Sequence, residues 1–167
     1  MATNAFIGIV VKPQDKGRLI EPNIELLGKP FETDIREPEF YVTEIEDTTE
    51  VIRIYHHYDG YPEMLGETLV KEFNDYEKVM NLVAFGNASS VNGEAARFYN
   101  SWRGDLWEYT QPKQDSSVEE YMELEFAYLY LFKDGKWYVK YSPSDSDWVE
   151  LVKVLDNEAE VYKEEEE

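Results

Sequence analysis

Apolar and polar residues alternate along this chain in two rhythms, and the first elements follow from them. Ala5–Val11 is a continuous β-branched run closed by Pro13, the pattern of a buried strand. Pro13, Pro22, Pro30 and Pro38, with Gly17 and Gly28 between them, exclude a long helix over 12–38 and leave turns plus one short strand near Ile24–Leu27. Glu39–Ile45 and Thr49–His57 read as two strands joined at Glu46–Thr48. In the second, Ile52, Ile54 and His56 share one face and Val51, Arg53, Tyr55 and His57 the other, so both faces need cover.

The rhythm then lengthens. Leu65, Leu69 and Phe73 mark a helix over Glu63–Phe73 that opens on Pro62; Tyr76, Val79, Met80 and Val83 mark a second, closed by Gly86. Asn87–Gly93 reads as a polar loop, Ala95–Trp102 as a third helix, and Asp105–Ser117 mostly as loop. Val118–Phe132 predicts a long strand, with Met122, Leu124, Phe126, Tyr128, Tyr130 and Phe132 on one face. Asp134-Gly135 turns it into a return strand over Lys136–Tyr141. Trp148–Leu155 fits either period and is assigned to strand. The order of strands, helices and strands predicts an α+β fold, a mainly antiparallel sheet with about three helices packed on one face. Residues 1–157 are read as a single acidic domain and 158–167 as a frayed acidic tail.

Composition changes this picture mainly through charge. The 167 residues hold 36 acids against 16 bases, a net −20. The segment 156–167 carries seven acids and one lysine, so −14 stays on the body and the acidity is no tail effect. Such a charge repels nucleic acid and anionic membranes and favours basic partners. There is no cysteine, which removes disulfides and thiolate metal sites. No signal-peptide pattern and no membrane-length apolar run is visible, and a cytoplasmic location in a host cell is the expectation.

Candidate chemistry concentrates in Tyr55, His56, His57, Tyr58, Asp59, Gly60, Tyr61 and Pro62, which include both histidines. Adjacent histidines on a strand point to opposite faces and cannot grip one ion, and no HExxH spacing exists, so no metal or other cofactor is expected. Asp59 before Gly60 is ordinary turn chemistry, and tyrosines flanking a turn are commonly packed with wet hydroxyls. The same residues support two other readings. The aromatic turn could bind a small molecule or nucleotide as a sponge, or His57 and Asp59 could serve a small hydrolase. Nucleotide-binding glycine loops, a nucleophile elbow and calcium loops are all lacking.

The acids form clusters: Glu44, Glu46, Asp47 and Glu50; Glu119, Glu120, Glu123 and Glu125; Asp145, Asp147 and Glu150; with Glu32, Asp34, Glu37 and Glu39 besides. Twenty charges match roughly 34 Å of B-DNA, about 10 base pairs, and a domain of this length has a radius of gyration of roughly 15 Å. One face could therefore imitate a short duplex. The plainer reading is that the charges only maintain solubility.

The stretch Tyr55–Pro62, with Glu63, Gly66 and Leu69, resembles a motif of small phage and prophage proteins. The likeness covers Val51–Leu69, with a weaker echo in Phe126–Lys140. It implies no catalytic residue. In size, acidity and lack of enzyme motifs the chain is also similar in character to phage anti-restriction and anti-CRISPR proteins, several of which place acids where DNA would lie on a nuclease. These likenesses imply a non-enzymatic anti-defence inhibitor whose partner is a basic, nucleic-acid-binding host nuclease, met directly or as a DNA mimic.

Overall fold

The computed structural model describes residues 3–34, 36–141 and 147–156. Strand β1 (Ala5–Val10) leads through a 3-10 turn to β2 (Leu19–Ile20), helix α1 (Ile24–Leu27), β3 (Thr43–Glu44) and β4 (Val51–His56). A π-helical turn (Pro62–Gly66) opens α2 (Glu67–Glu72), and α3 (Tyr76–Ala84) follows. Then come β5 (Ala88–Val91), β6 (Ala96–Phe98), α4 (Tyr99–Arg103), α5 (Trp107–Thr110), β7 (Lys113–Asp115) and α6 (Val118–Met122). The chain closes with β8 (Tyr128–Lys133), β9 (Lys136–Tyr141), β10 (Val149–Glu150) and a helix α7 over 151–156.

The α+β class holds, but the sheet is mixed. Its order is β10-β9-β8-β1-β4-β5-β6, and β7 also pairs with β4. β1 runs antiparallel to β4 and parallel to β8, and β4 runs parallel to β5. The outer edge of β4 is divided. Val51, Ile52 and Arg53 pair with β7, whereas His56 pairs with Ala88 of β5.

Cover lies on both faces of the sheet, against the expectation of one. Ala5, Ile7 and Ile9 of β1 and Ile52 and Ile54 of β4 pack on Leu69 and Phe73 and on Val79, Met80 and Val83 of α3. Trp137 of β9 donates its indole N–H to the Phe73 carbonyl at 2.7 Å, fixing the end of α2 to the sheet. On the other face, Val51, Leu129 and Leu131 pack on Tyr121, with Val118 and Met122 beside it. The Tyr121 ring lies over Gly8, where a Cβ would come within 2.7 Å of its Cζ. Its hydroxyl donates to the Tyr130 carbonyl at 2.6 Å, and Trp148 stacks on its outer side at 6.4 Å.

Several elements correct the sequence expectation. The long strand over 118–132 is α6 followed by β8. Ser117 caps α6 by accepting from Glu120 N–H, the Glu120 carboxylate accepts from Ser116 N–H, and Val118, Tyr121 and Met122 then share a helical face. The third helix begins only at Tyr99. Before it, buried Ala96 and Phe98 flank exposed Arg97 as a strand, and the polar segment 88–91 is its partner. Ile24–Leu27 is helical because Asn23 Oδ1 accepts from Glu25 N–H and Leu26 N–H, and Gly28 ends it at φ 73°. Over Glu39–Ile45 only Thr43–Glu44 pairs, with Leu19–Ile20. The segment 105–117 holds α5 and β7 rather than loop alone. Trp148–Leu155 divides into the short β10 and α7. Asp145 and the tail 158–167 lie outside the described residues.

The elements with decisive local chemistry appear as expected: β1, β4, α3 capped by Asp75, and the hairpin whose Asp134 and Gly135 take φ 52° and 79°. Among the described residues no helix is long and apolar enough to cross a membrane.

Gly8→Ala is expected to destabilise the fold by about 1–3 kcal/mol, because the buried, hydrogen-bonded Tyr121 ring has no room to retreat. Urea unfolding checks this; wild-type stability in the variant would contradict the packing.

Candidate functional site

The Tyr55–Pro62 stretch closes the end of β4 and is held from three sides. Asn87 Oδ1 accepts from Tyr55 N–H at 2.9 Å. His57 N–H and Tyr58 N–H donate to the Ala88 and Ser89 carbonyls. Asp59 sits at φ 56°, and Gly60 N–H donates to the Thr3 carbonyl at 2.8 Å. Tyr130 donates its hydroxyl to the Gly60 carbonyl at 2.7 Å. A Cβ on Gly60 would meet Ala5 Cβ and the Thr3 carbonyl oxygen at 2.9 Å, so only glycine fits the close approach.

The two histidines separate as period two requires. His56 is buried, and its Nε2 accepts from Val91 N–H at 2.9 Å. That bond leaves the ring proton on Nδ1, which has no hydrogen-bond partner among the described residues. Burial lowers the His56 pKa from 6.5 to about 3, and the neighbouring His57 also disfavours the charge. His56 is thus a neutral core residue. His57 Nδ1 shares a hydrogen bond with the Tyr55 hydroxyl at 2.7 Å, and its ring meets Tyr58 edge-on at 4.5 Å. Among the described residues no group of three His, Asp or Glu side chains could hold a metal ion.

Asp59 is exposed and makes no hydrogen bond or ion pair with any described residue, to His57 or to the local backbone. Tyr61 is half-buried, and its carbonyl accepts from Met64 and Leu65 N–H as the π turn opens.

The turn has neighbours that sequence reading missed. The parallel pairing of β4 and β5 brings Ser89 alongside, and α4 adds Tyr99 and Arg103. Burial holds the Tyr99 phenol above its ordinary pKa, against the Ser89 hydroxyl that donates to it and the nearby Arg103 charge. The Arg103 guanidinium lies 4.3 Å from the Tyr99 ring centroid and pairs with Asp105 at 2.6 Å. Tyr55, His57 and Tyr58 therefore form one aromatic cluster, and Tyr99, with Arg103 against its ring, lies near enough to Tyr55 and Tyr58 to feel them electrostatically. Nothing within 55–62 signals Tyr99, because its arrival depends on non-local strand pairing.

Two of the acid clusters come together at the opposite end of β4. Gln114 of β7 accepts from Glu46 N–H at 3.0 Å and donates to the Glu44 carbonyl at 2.9 Å. Glu50 N–H donates to the Asp115 carbonyl, and the Glu50 carboxylate accepts from Val118 N–H at the start of α6. The segments 44–50 and 113–125 thus flank one another, and together they hold nine acids and one lysine.

Glu44, Glu46, Asp47, Glu119, Glu120, Glu123 and Glu125 are exposed, and none makes an ion pair with a described base. Glu120 also serves structure; bonds from the Ser116 hydroxyl and N–H hold its pKa below the ordinary value. The third cluster differs. Glu150 sits on β10, five strand spacings or about 24 Å from β7. It pairs with Lys136 and Lys153, while Asp147 is exposed beside Trp148.

No family model, curated protein or solved structure matches this chain.

The His56 geometry has a pH signature. Because the folded pKa lies below the unfolded value of 6.5, its contribution is intact above pH 6.5 and is lost as pH falls toward about 3. His56→Phe is expected to cost about 1–3 kcal/mol at neutral pH by orphaning the Val91 N–H. It should also remove a fall of up to roughly 1.4 kcal/mol per pH unit below pH 6.5. Parallel stability curves for the two proteins from pH 6.5 to about 5, where most carboxylates stay ionised, would contradict this.

Proposed function

We propose that this protein is a non-enzymatic inhibitor of the phage anti-defence kind that binds a basic, nucleic-acid-binding surface of a host nuclease. The observation that carries the reading is the patch around β7, where the segments 44–50 and 119–125 gather exposed acids that make no ion pair with a described base. Several acids elsewhere are paired: Glu77 with Arg18, Glu72 with Lys29, Glu32 with Arg97 and Asp105 with Arg103. Charge left over in one place attracts a cationic groove, speeds association and repels DNA from the same protein.

The mimicry this supports is compact. Seven strands span roughly 29 Å, close to ten base pairs, but the free acids gather at the β7 end while Glu150 on the far edge is paired. The patch is suited to replace a few phosphates rather than a whole turn of duplex.

The aromatic cluster of Tyr55, His57 and Tyr58, with Tyr99 and Arg103 nearby, supports a second reading, a binder of planar small molecules or nucleotides. The two readings separate by substitution. Replacing Glu44, Glu46, Asp47, Glu119, Glu123 and Glu125 by Gln or Asn should weaken nuclease binding about tenfold or more, chiefly through the association rate. Tyr58→Ala and His57→Gln should leave it unchanged. Wild-type binding should weaken steeply between about 0.05 and 0.5 M salt. Titration against a nuclease recovered from host lysate checks both points, and salt-independent binding would contradict the electrostatic reading.

A further inference from the structure

A separate groove of about 240 Å³ lies between the 37–41 segment and the α4–α5 junction, lined by Glu37, Glu39, Tyr41, Asp105, Leu106 and Trp107 among others. Its wall is aromatic and braced. Tyr41 and Trp107 stack with centroids 5.2 Å apart and planes 14° from parallel. Behind Trp107, Gly86 at φ 84° lets the indole come so close that a Cβ there would lie 3.1 Å from Cζ3.

The rim is acidic. The Tyr41 hydroxyl donates to Glu39 Oε2 at 3.1 Å, and Glu37 and Glu39 are exposed and pair with no described base. Asp105 is held in place by Arg103 and by its carbonyl, which accepts from Asn100 Nδ2 at 2.7 Å. Leu106 of the lining is 65% exposed, and Val42 and Tyr109, which follow Tyr41 and Trp107 closely in the chain, are 51% and 70% exposed.

We propose that this groove accepts an arginine side chain of a protein partner. A guanidinium is flat enough to lie against the stacked Tyr41–Trp107 pair and carries donors for two carboxylates at once, which a lysine ammonium cannot match. The volume falls below the roughly 300–1,000 Å³ of small-molecule clefts and suits one long side chain. The exposed Leu106, Tyr109 and Val42 would exclude water around it, as the surround of an interface hot spot does. The inference deepens the proposed function and rests on it for the partner's class, a basic protein, while the preference for guanidinium stands apart.

The test is a titration of the intact protein with acetyl-Arg-Arg-Arg-amide and with the matching lysine peptide at about 0.15 M salt, followed by the indole N–H signals in NMR. The Trp107 signal should move with the arginine peptide, and the lysine peptide should bind there about tenfold more weakly. Glu39→Gln and Tyr41→Ala should each weaken the arginine peptide about tenfold, while Glu46→Gln with Asp47→Asn should leave it unchanged. If Tyr41→Ala fails to fold, Glu37→Gln replaces it, since Glu37 makes no hydrogen bond or ion pair with a described residue. A still indole, equal binding of both peptides, or equal weakening by the Glu46/Asp47 variant would overturn the proposal. Salt-dependent nuclease binding with a still indole would remove the groove and leave the acid patch; a moving indole without nuclease binding would do the reverse.

Discussion

The ion pair between Arg53 and Asp115 holds the branch on which this fold is arranged. Arg53 Nε lies 2.8 Å from Asp115 Oδ2, with the carboxylate nearly buried, and the guanidinium also sits 5.4 Å from the Phe6 ring centroid. The pair fastens β7 to the first half of β4, so β5 can reach only the last residue of that strand. Removing one partner would leave a buried charge unmatched, at about 3–5 kcal/mol. One edge thereby serves two neighbours, and its two ends become different surfaces.

At the β7 end the hydrogen bonds of Gln114, Glu50 and Val118 gather exposed acids that make no ion pair with a described base. At the β5 end the same strand delivers tyrosines and His57 to Tyr99 and Arg103. His56 between them is sealed in the core and kept neutral by burial, so it contributes to folding rather than to chemistry. The charge of the protein is thus only partly neutralised within the structure: some acids pair with bases, while exposed unpaired ones lie around β7 and α6 and also at Glu37, Glu39 and Asp59.

How far the sequence discloses this depends on the range of the interaction. The β1 and β4 strands, α3 and the Asp134-Gly135 hairpin are legible because period, cap and turn chemistry agree within a few residues. The stretch 118–126 is not, since Met122, Leu124 and Phe126 alternate like a strand while Val118, Tyr121 and Met122 fit a helix, and the Ser117 cap with the Ser116–Glu120 bond decides between them. The two-sided cover was foreshadowed by the apolar residues on both faces of β4, yet the position of α6 over Gly8 was not. The opposed histidines follow from period two alone. Tyr99 beside Tyr58, and Tyr41 on Trp107, depend on contacts between distant segments that carry no local mark. The acid clusters were visible as clusters; that 44–50 and 119–125 are neighbours, and Glu150 is far from both, required the strand order.

The central claim is that the unpaired acids around β7 form the contact surface for a basic protein. Amide hydrogen exchange of the protein alone and with the proposed nuclease partner measures that surface directly. Binding through the β7 patch should add protection in 44–50 and 113–125 and change 55–61 little. Protection confined to 55–61 and α4, with the β7 end unchanged, would contradict it.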